Sequence, residues 1–453
     1  MKYYLALFIL IILHILILKN LQFTAWPEMF SYPYLLNHGF NLYKDIALPY
    51  QPLLILTLSM VYKIFGYNLL TLKIFTWSLV ILSDLILFLI SSKLIFSKIL
   101  RFAPLAFYIF IQSFTEGNML WFDLATVPFL LTGILMLISI KGSKKYFWFG
   151  FFLSLAFFIK QQTGILVLFA MLYLLIKKEF RGFKLLSLGF LPLTFLVVFY
   201  IFYKGIFHDY FFWTITVPIY WYPKFPGYSG LPSNNDIFVI ALLLLPGLIG
   251  FLKKFKKIDL ELSLIFISFF GAFLAAFPRF GYFRFQPAAA LYVVLFAMIL
   301  SKEKLKNIIF YFTPLLISIL LLFKISQPLF NLPARFFSDR DILLSKSIAE
   351  TANSTDRIYI LGESSLIYVL TNKLPPKPWV DNYVWYMEID GMQERVLRGF
   401  SSDPPKFIFR KIPKNGNWYD LGVYQPSKII NFVEQNYQKK DIIEDSIEVW
   451  IRK

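Results

Sequence analysis

The chain has 453 residues, of which 58% are apolar, 20% aromatic and only 16% charged. A soluble surface needs a larger charged fraction than this, and a disordered chain would be polar and poor in aromatic residues. The lack of cysteine excludes disulfide frameworks, cysteine-ligated zinc, iron–sulfur clusters and a cysteine nucleophile. The three histidines, His14, His38 and His208, are too scattered to indicate a multi-histidine metal site.

The net charge of +18 resides almost entirely in the apolar part of the chain. Residues 1–324 carry 28 Lys and Arg against 11 Asp and Glu, whereas residues 325–453 carry 17 against 16. The excess occurs in short clusters between apolar runs, which is typical of membrane topology rather than of nucleic-acid binding. The sequence therefore predicts a membrane domain over residues 1–324, followed by a domain of ordinary polarity over residues 325–453.

Eleven apolar runs in the first domain are candidate membrane spans. They lie at residues 3–19, 69–92, 102–114, 122–140, 146–159, 163–176, 185–203, 237–252, 260–277, 286–300 and 307–324. If the N-terminus is cytoplasmic, 18 of the 28 basic residues fall at inner edges, mainly in clusters within 93–101, 141–145, 177–184, 253–257 and 302–306. This alternation predicts about eleven transmembrane helices and an extracytoplasmic C-terminal domain.

Three segments fall on the outer side in this topology. Residues 20–68 form a long loop in which 51–65 is predicted to be an interfacial helix, and residues 204–235 hold the Trp, Tyr and Pro cluster typical of headgroup level. The third segment is predicted to be a small α/β domain, with helices over 338–352 and 428–437 and strands over 357–362, 405–411 and 446–453. No dinucleotide-binding GxGxxG and no phosphate-binding GxxxxGK[ST] motif occurs.

Ionisable residues near apolar runs are costly, so each is a candidate for function. Glu28 follows Pro27 just beyond the first run, where a carboxylate can act as a general base; the alternative is a carboxylate that only stabilises a helix start. Asp45 is a second functional acid, a solvated loop charge or a cap. Asp84, inside the second run, is either buried and paired or faces a polar groove.

Further outer residues are candidates for substrate binding: Glu116, Asp123, Lys160, Gln161, Arg279 and Arg284. Glu116 and Asp123 flank a tight turn, where Asp123 can also cap the next helix. Lys160 joins two short runs and is either a ligand for substrate or a snorkelling lysine. Arg279 and Arg284 stand between aromatic residues, a pattern that suits either a phosphate or a lipid headgroup.

The first outer loop resembles that of the GT-C superfamily of integral-membrane glycosyltransferases. The similarity is to bacterial relatives of the protein O-mannosyltransferases and aminoarabinose transferases (glycosyltransferase family 39-like). That family has an acidic residue in this loop and then G-x-x-x-Y-x-D … P, which Glu28, Gly39, Tyr43, Asp45 and Pro52 match here. The segments EGNMLWFD, IKQQTG and PRFGYFRFQP match the family more loosely.

The resemblance implies a GT-C fold in the plasma membrane and transfer, with inversion, of a sugar from a polyprenyl-phosphate carrier. The acceptor is expected to be a glycan, lipid or protein outside the cytoplasm. Glu28 and Asp45 are implied as catalytic acids, although many relatives have Asp at the position of Glu28. Lys160, Arg279 and Arg284 are implied at the carrier phosphate, and the other candidates listed above, with Tyr43, at the substrate.

No cofactor is implied, no metal site is assigned, and metal dependence stays open because Glu28, Asp45 and Asp123 offer oxygen ligands. Two other functions compete with the enzyme. One is a transporter or flippase of lipid-linked sugars, and the other is an assembly protein with an inactive GT-C fold. The long first outer loop and the α/β domain favour the enzyme, because a transporter has little use for either.

Overall fold

The computed structural model describes residues 2–254, 260–277, 279–301, 305–417 and 420–453. Lys256, Lys257, Lys302 and Lys304 of the predicted inner clusters lie outside these residues. Contacts within the chain divide it into two compact units. Unit 1 comprises Met1–Thr24, Leu72–Phe199 and Ser229–Pro333, and unit 2 comprises Ala25–Thr71, Tyr200–Tyr228 and Ala334–Lys453.

The described residues form nineteen α-helices and four strands. In chain order they are α1 (Lys2–Asn20), α2 (Glu28–Asn37), α3 (Leu53–Phe65), α4 (Leu69–Leu94), α5 (Ala103–Phe114), α6 (Phe122–Ser139), α7 (Lys144–Ile159), α8 (Gly164–Ile176), α9 (Phe180–Tyr203), α10 (Phe207–Phe211), α11 (Asn234–Lys254), α12 (Leu260–Leu274), α13 (Gln286–Leu300), α14 (Leu305–Ser326), α15 (Asp339–Thr351), β1 (Ile358–Leu361), α16 (Leu366–Leu370), α17 (Val384–Met387), α18 (Met392–Ser402), β2 (Phe407–Lys411), α19 (Ser427–Asn436), β3 (Tyr437–Ile443) and β4 (Ile447–Arg452).

Shorter helical turns join several of these elements. Among the described residues of unit 1, four are 3₁₀-helices, at Leu100–Phe102, Gln161–Thr163, Tyr282–Phe285 and Gln327–Leu329. In unit 2, a π-helix at Phe212–Trp221 continues α10 and leads into a 3₁₀-helix at Tyr222–Lys224. These two elements cover residues 212–224 of the predicted aromatic segment, so that part of the segment is helical.

Each of the eleven predicted spans corresponds to one helix in the described part of the chain: α1, α4 to α9, and α11 to α14. Seven of these segments are long and apolar enough to cross a membrane. The other four, α5, α7, α8 and α12, are shorter, with 12 to 16 residues. The protein is thus a multi-pass helical membrane protein, and eleven crossings remain the predicted number.

Helix α13 lies at the centre of unit 1. All fifteen of its residues are buried, and it packs against α5, α6, α11 and α12. Its first turns carry Ala288, Ala289 and Ala290, and small side chains let neighbouring helices approach closely. Gly189 serves the same purpose where α9 meets α7, because a Cβ at this position would lie 2.0 Å from the carbonyl oxygen of Phe147.

Unit 2 contains a four-stranded mixed sheet in the order β1-β2-β4-β3. Strands β1 and β2 are parallel, with Ile358 opposite Phe407, and the other pairs are antiparallel. The predicted α/β domain is therefore present, with α15, β1, β2, α19 and β4 at the predicted places. Helix α15 starts as its sequence indicates, because Ser338 and Asp341 form a capping box.

The first outer segment belongs to the same compact unit as the C-terminal residues. The Trp379 N–H donates to the carbonyl of Asp45 (2.9 Å), and the Lys377 ammonium donates to the carbonyl of Gly39 (2.7 Å). Arg395 donates to the carbonyl of Lys44 (2.6 Å) and pairs with Asp209 (3.0 Å). Residues 25–71, 200–228 and 334–453 thus fold together around Arg395 and the segment that precedes it.

Candidate active site

Glu28 is the first residue of α2 and follows Pro27. Proline suits a helix start because its ring holds φ near the helical value, and Pro27 has a φ of −54°. A carboxylate in the first turn also interacts favourably with the helix dipole. Glu28 is only 8% exposed, and its Oε2 has no hydrogen-bond partner among the described residues. The helix thus holds a buried carboxylate with one oxygen available to a ligand.

Asp381, which sequence analysis did not single out, is the acidic neighbour of Glu28. It lies between α16 and α17 and is 1% exposed. Its Oδ1 accepts a hydrogen bond from the N–H of Asn382 (3.0 Å), and its Oδ2 accepts one from the hydroxyl of Ser365 (3.1 Å). The Ser365 Oγ also lies 3.1 Å from the Oγ of Ser31 on α2. These contacts join the loop of Asp381 to the helix of Glu28.

Burial and mutual repulsion disfavour the ionisation of both acids in this pair. Burial raises the pKa of Glu28 above its ordinary value of 4.5, and the negative charge of Asp381 raises it further. Burial also raises the pKa of Asp381, although the hydrogen bonds from Ser365 and Asn382 favour its ionised form. We therefore infer that, as the pH rises, Asp381 loses its proton first and Glu28 loses its proton second. A carboxylate with a raised pKa is a stronger base than an exposed one.

Tyrosine side chains adjoin the acid pair. Tyr32 lies one turn after Glu28, is 2% exposed, and has a hydroxyl without a hydrogen-bond partner in the described parts of the chain. Burial, followed by the charges of Asp381 and Glu28, raises the pKa of Tyr32, so its hydroxyl keeps its proton. The pKa of Tyr386 is raised by burial and, in smaller part, by Glu28. The site thus offers a carboxylate oxygen and a hydroxyl donor in apolar surroundings, as ligand pockets commonly do.

Tyr43 and Asp45 use their polar atoms within the first outer loop. The Asp45 Oδ2 accepts hydrogen bonds from the backbone N–H (2.8 Å) and the side-chain amide (3.0 Å) of Asn41. Tyr43 is fully buried at a φ of 69°, and its hydroxyl donates to the carbonyl of Tyr50 (3.0 Å). The expected roles in catalysis and substrate binding stay predictions, and these contacts favour a role in shaping the loop.

A cluster of Asp123, Lys160 and Arg284 lies in unit 1. Lys160 follows α7 and is 3% exposed, and its ammonium donates to the Oδ1 of Asp123 in the first turn of α6. The charge of Arg284 also acts on Lys160, and the Arg284 Nε has no partner among the residues described. The carboxylate of Asp123 therefore pairs with Lys160, and the charge of a second cation, Arg284, acts on the same ammonium. A bound anion such as phosphate would balance the remaining positive charge.

The other predicted binding residues of unit 1 lie at turns. Glu116 is exposed at a φ of 53° after α5 and interacts electrostatically with Tyr282. Gln161 begins the 3₁₀-helix that follows Lys160. Arg279 pairs through its backbone with Gly230 in a short bridge. The structure thus brings three of the predicted residues into one charged cluster and places Arg279 beside the segment that precedes α11.

An apolar groove of about 670 Å³ begins at that segment. Its lining includes Leu231 before α11, Ile237 and Leu244 on α11, Phe273 at the end of α12 and Phe277 just after it. Leu231 directly follows Gly230, the backbone partner of Arg279. A basic residue is therefore bridged through its backbone to the segment where an apolar groove begins, an arrangement that suits an amphiphile with an anionic head.

Asp84 is buried and paired, which decides between the two sequence interpretations. Its Oδ2 lies 2.8 Å from the Nδ1 of His14, and the Nε2 of His14 lies 2.8 Å from the Oε1 of Gln112. The amide nitrogen of Gln112 donates to the carbonyl of Gly117 (2.9 Å), which fixes the orientation of the amide. His14 thus donates to Gln112 through Nε2, and one proton is held between Nδ1 and Asp84.

Asp381 and Tyr32 are the functional candidates that sequence reasoning missed. Both acids of the pair stand in aromatic segments, Glu28 in WPEMFSYPY and Asp381 in PWVDNYVWY. That shared composition could have marked Asp381 as a candidate, although it does not encode the pairing with Glu28. Within the described residues, no group of three or more His, Asp or Glu side chains is arranged to hold a metal ion.

Comparison with known proteins gives matches only at the level of structure. No family model matches the chain, and no curated protein matches it. The crystal structure of ArnT from Cupriavidus metallidurans bound to undecaprenyl phosphate aligns with a TM-score of 0.58 at 9% identity, covering 99% of this chain and 97% of that one. ArnT is an aminoarabinose transferase.

An archaeal oligosaccharyltransferase has a similar fold. AglB from Archaeoglobus fulgidus, in complex with an inhibitory peptide and a dolichol-phosphate, aligns with a TM-score of 0.53 at 11% identity, covering 90% of this chain and 69% of that one. At such identities the likeness establishes the fold. The chain has the fold of GT-C glycosyltransferases over nearly its whole length, as the first outer loop led us to expect.

Proposed function

We propose that the protein is a membrane glycosyltransferase that moves a sugar from a polyprenyl-phosphate carrier to an acceptor hydroxyl on the extracytoplasmic face. The observation that carries this proposal is the buried acid pair, in which Glu28 keeps one carboxylate oxygen without a partner among the described residues. The GT-C fold, shared with ArnT and AglB, supports the same class of reaction.

The reaction is a single displacement with inversion at the anomeric carbon. Glu28 accepts the proton of the acceptor hydroxyl, and the acceptor oxygen forms a bond to C1 of the sugar. The bond between C1 and the carrier phosphate breaks, and the phosphate leaves with the electron pair. Asp381 raises the basicity of Glu28, and Ser365 keeps Asp381 in place.

The charged cluster of unit 1 is proposed to bind the phosphate of the carrier. Lys160 and Arg284 supply two positive charges to the leaving group, and such preorganised charges stabilise the negative charge that develops in the transition state. Asp123 holds Lys160 in place before the substrate binds. Glu116 and Gln161 are proposed to contact the donor from the neighbouring turns.

The polyprenyl chain is proposed to occupy the apolar groove of α11 and α12. The lining is almost wholly apolar, so an isoprenoid chain would bury its surface there without leaving polar groups unpaired. Arg279 would then meet the anionic end of the same lipid. In ArnT, an undecaprenyl phosphate is the bound molecule, which supports this class of carrier.

The first test is sugar transfer by the purified protein from a panel of radiolabelled polyprenyl-phosphate sugars to a membrane extract. We expect Glu28→Gln to lower the rate by about 10²- to 10⁴-fold, the usual effect of losing a general base. Glu179→Gln is the matched control because Glu179 is exposed beyond α8. A folded Glu28→Gln variant with the wild-type rate would refute the assignment. Lipid translocation without transfer would establish the transporter instead.

A further inference from the structure

Five aromatic residues of unit 2 form a continuous cluster, called here the aromatic wall: Tyr222, Tyr228, Tyr383, Trp385 and Tyr386. Two pairs in it are stacked. The rings of Tyr383 and Trp385 lie 4.8 Å apart at 8°, and those of Tyr222 and Tyr228 lie 4.1 Å apart at 26°. Trp385 contacts Tyr228 edge-on (6.2 Å) and so joins the two pairs. Tyr228, Tyr383 and Trp385 are half-buried, whereas Tyr222 and Tyr386 are buried.

The aromatic wall leads from the half-buried rings to the acid pair. Tyr386 lies edge-on to Tyr383 (6.3 Å between ring centroids) and to Trp385 (6.5 Å), and it interacts electrostatically with Glu28. Tyr383 interacts in the same way with Tyr32. The inner end therefore interacts with the two residues, Glu28 and Tyr32, whose Oε2 and hydroxyl are buried and have no hydrogen-bond partner in the described residues. Unpartnered polar atoms in an apolar site are costly unless a ligand satisfies them.

A pyranose ring has the chemistry that this arrangement lacks. One face of the ring is made of C–H groups and packs against flat aromatic faces, which bury large apolar areas. Its hydroxyls, at the ring edge, both donate and accept hydrogen bonds. They would therefore donate to the Glu28 carboxylate and accept from Tyr32. The hydroxyl of a serine or threonine residue has no flat apolar face of its own to pack on the stacked rings.

We propose that the aromatic wall binds a pyranose ring of a saccharide acceptor and presents one of its hydroxyls to Glu28. This inference rests on the proposed function and names the acceptor class that the function left open. The ring packs on Trp385, Tyr383 and Tyr228, and the reacting hydroxyl donates its proton to the Glu28 Oε2. The acceptor oxygen then attacks C1 of the donor sugar while the carrier phosphate departs with the electron pair.

Binding is tested first, without turnover. The full-length protein in detergent is titrated with methyl hexopyranosides, methyl pentopyranosides and their disaccharides, with tryptophan fluorescence as the readout. We expect a saturable change with at least one saccharide in the wild-type protein and its loss in Trp385→Ala. Trp450→Ala, on strand β4, is the matched control and should retain the change. A panel without any saturable response, or a response that Trp385→Ala retains, would overturn the proposal.

Steady-state kinetics then test whether the aromatic wall binds the acceptor or the donor. We expect Trp385→Ala and Tyr383→Ala each to raise the KM for a saccharide acceptor about tenfold, with the KM for the lipid-linked donor changed less than about twofold. Tyr383→Phe keeps the ring and should keep the low KM. A raised donor KM at constant acceptor KM would overturn the proposal and assign the wall to the donor sugar.

The outcomes for the two proposals are distinct. Transfer to a serine- or threonine-containing peptide, with wild-type kinetics in the wall variants, would overturn the saccharide acceptor and leave the transferase function intact. If no donor supports transfer, the proposed function fails. The fluorescence titration still decides in that case whether the wall binds a saccharide.

Discussion

Glu28 and Asp381 differ in what their carboxylate oxygens contact. Both oxygens of Asp381 accept hydrogen bonds, whereas the Oε2 of Glu28 has no partner among the described residues. Hydrogen bonds to a carboxylate stabilise its charged form, so Asp381 is the better stabilised anion of the two. Glu28 is left as the group that takes up and releases the proton, which is the behaviour required of a general base.

The pH dependence of transfer should report this pair. A base must be ionised, so kcat/KM is expected to rise with pH through the raised pKa of Glu28. Asp381→Asn removes a negative charge beside Glu28, which lowers the pKa of Glu28 and moves the acidic limb to lower pH. Asp441→Asn, an exposed carboxyl on β3, is the control and should leave the limb in place. The measurement is the pH–rate profile of the wild-type protein and both variants.

An acidic limb that stays in place or moves to higher pH in Asp381→Asn would contradict the pairing.

The pH dependence of stability tests the pairing independently. Since burial holds a proton on the folded protein at pH values where the unfolded chain has lost it, the free energy of unfolding should fall as pH rises above the ordinary carboxyl pKa. Asp381→Asn should reduce that decline, because it removes one of the two buried charges.

Sequence reasoning found only part of each site. Glu28 was identifiable because a carboxylate after Pro27, beside an apolar run, is a local pattern. Asp123, Lys160 and Arg284 were each expected on the outer side, and the structure groups them in one cluster. Asp381 was not identifiable as the partner of Glu28, because tertiary folding brings the two ends of the chain together and no local pattern encodes that contact.

Among the elements, the spans were predictable and the edge of the sheet was not. An apolar run is a local signal that a membrane helix must carry, and each of the eleven runs corresponds to a helix. Strand β3 was missed because it is an edge strand whose residues are mostly exposed, so YQKKDII shows no buried alternation. Helices α16 and α17 were also missed, since segments of four or five residues carry little periodicity.

The contact of α1 with α4 and α5 rests on the buried network of His14, Asp84 and Gln112. His14→Phe leaves the Asp84 carboxylate buried and uncompensated, which typically costs about 3–5 kcal/mol. The double variant His14→Phe/Asp84→Leu removes both charges and should recover most of that loss, because apolar replacement of a buried pair is often neutral or better. The measurement is thermal unfolding of the purified protein in detergent.

A matched control for this cycle is Ser78→Ala, which removes an exposed hydroxyl from the same helix α4. Its unfolding temperature should equal that of the wild-type protein. Equal losses in the single and double variants would show that His14 acts through packing alone. An Asp84→Leu variant as stable as the wild type, together with an unstable His14→Phe variant, would assign the cost to the unpaired carboxylate.

At the level of the whole molecule, unit 2 constrains the topology. It is assembled from three separate stretches of chain. A single side chain of the last stretch, Arg395, contacts the other two through Lys44 and Asp209. A bilayer cannot pass through a compact set of such contacts, because loop and sheet backbone in lipid would lose its hydrogen-bond partners. The first outer segment and the C-terminal domain must therefore lie on one side of the membrane.

Labelling of single cysteines tests that constraint without background, because the chain has no cysteine of its own. Lys44→Cys and Ser401→Cys introduce exposed thiols into two stretches of unit 2, and Lys141→Cys introduces one into a predicted inner cluster. In intact cells, a membrane-impermeant maleimide should label positions 44 and 401, and position 141 only after permeabilisation. Labels at 44 and 401 on opposite sides would contradict the fold of unit 2. Access to position 141 alone would reverse the predicted orientation, because the positive-inside argument would then be wrong while the same-side argument still held.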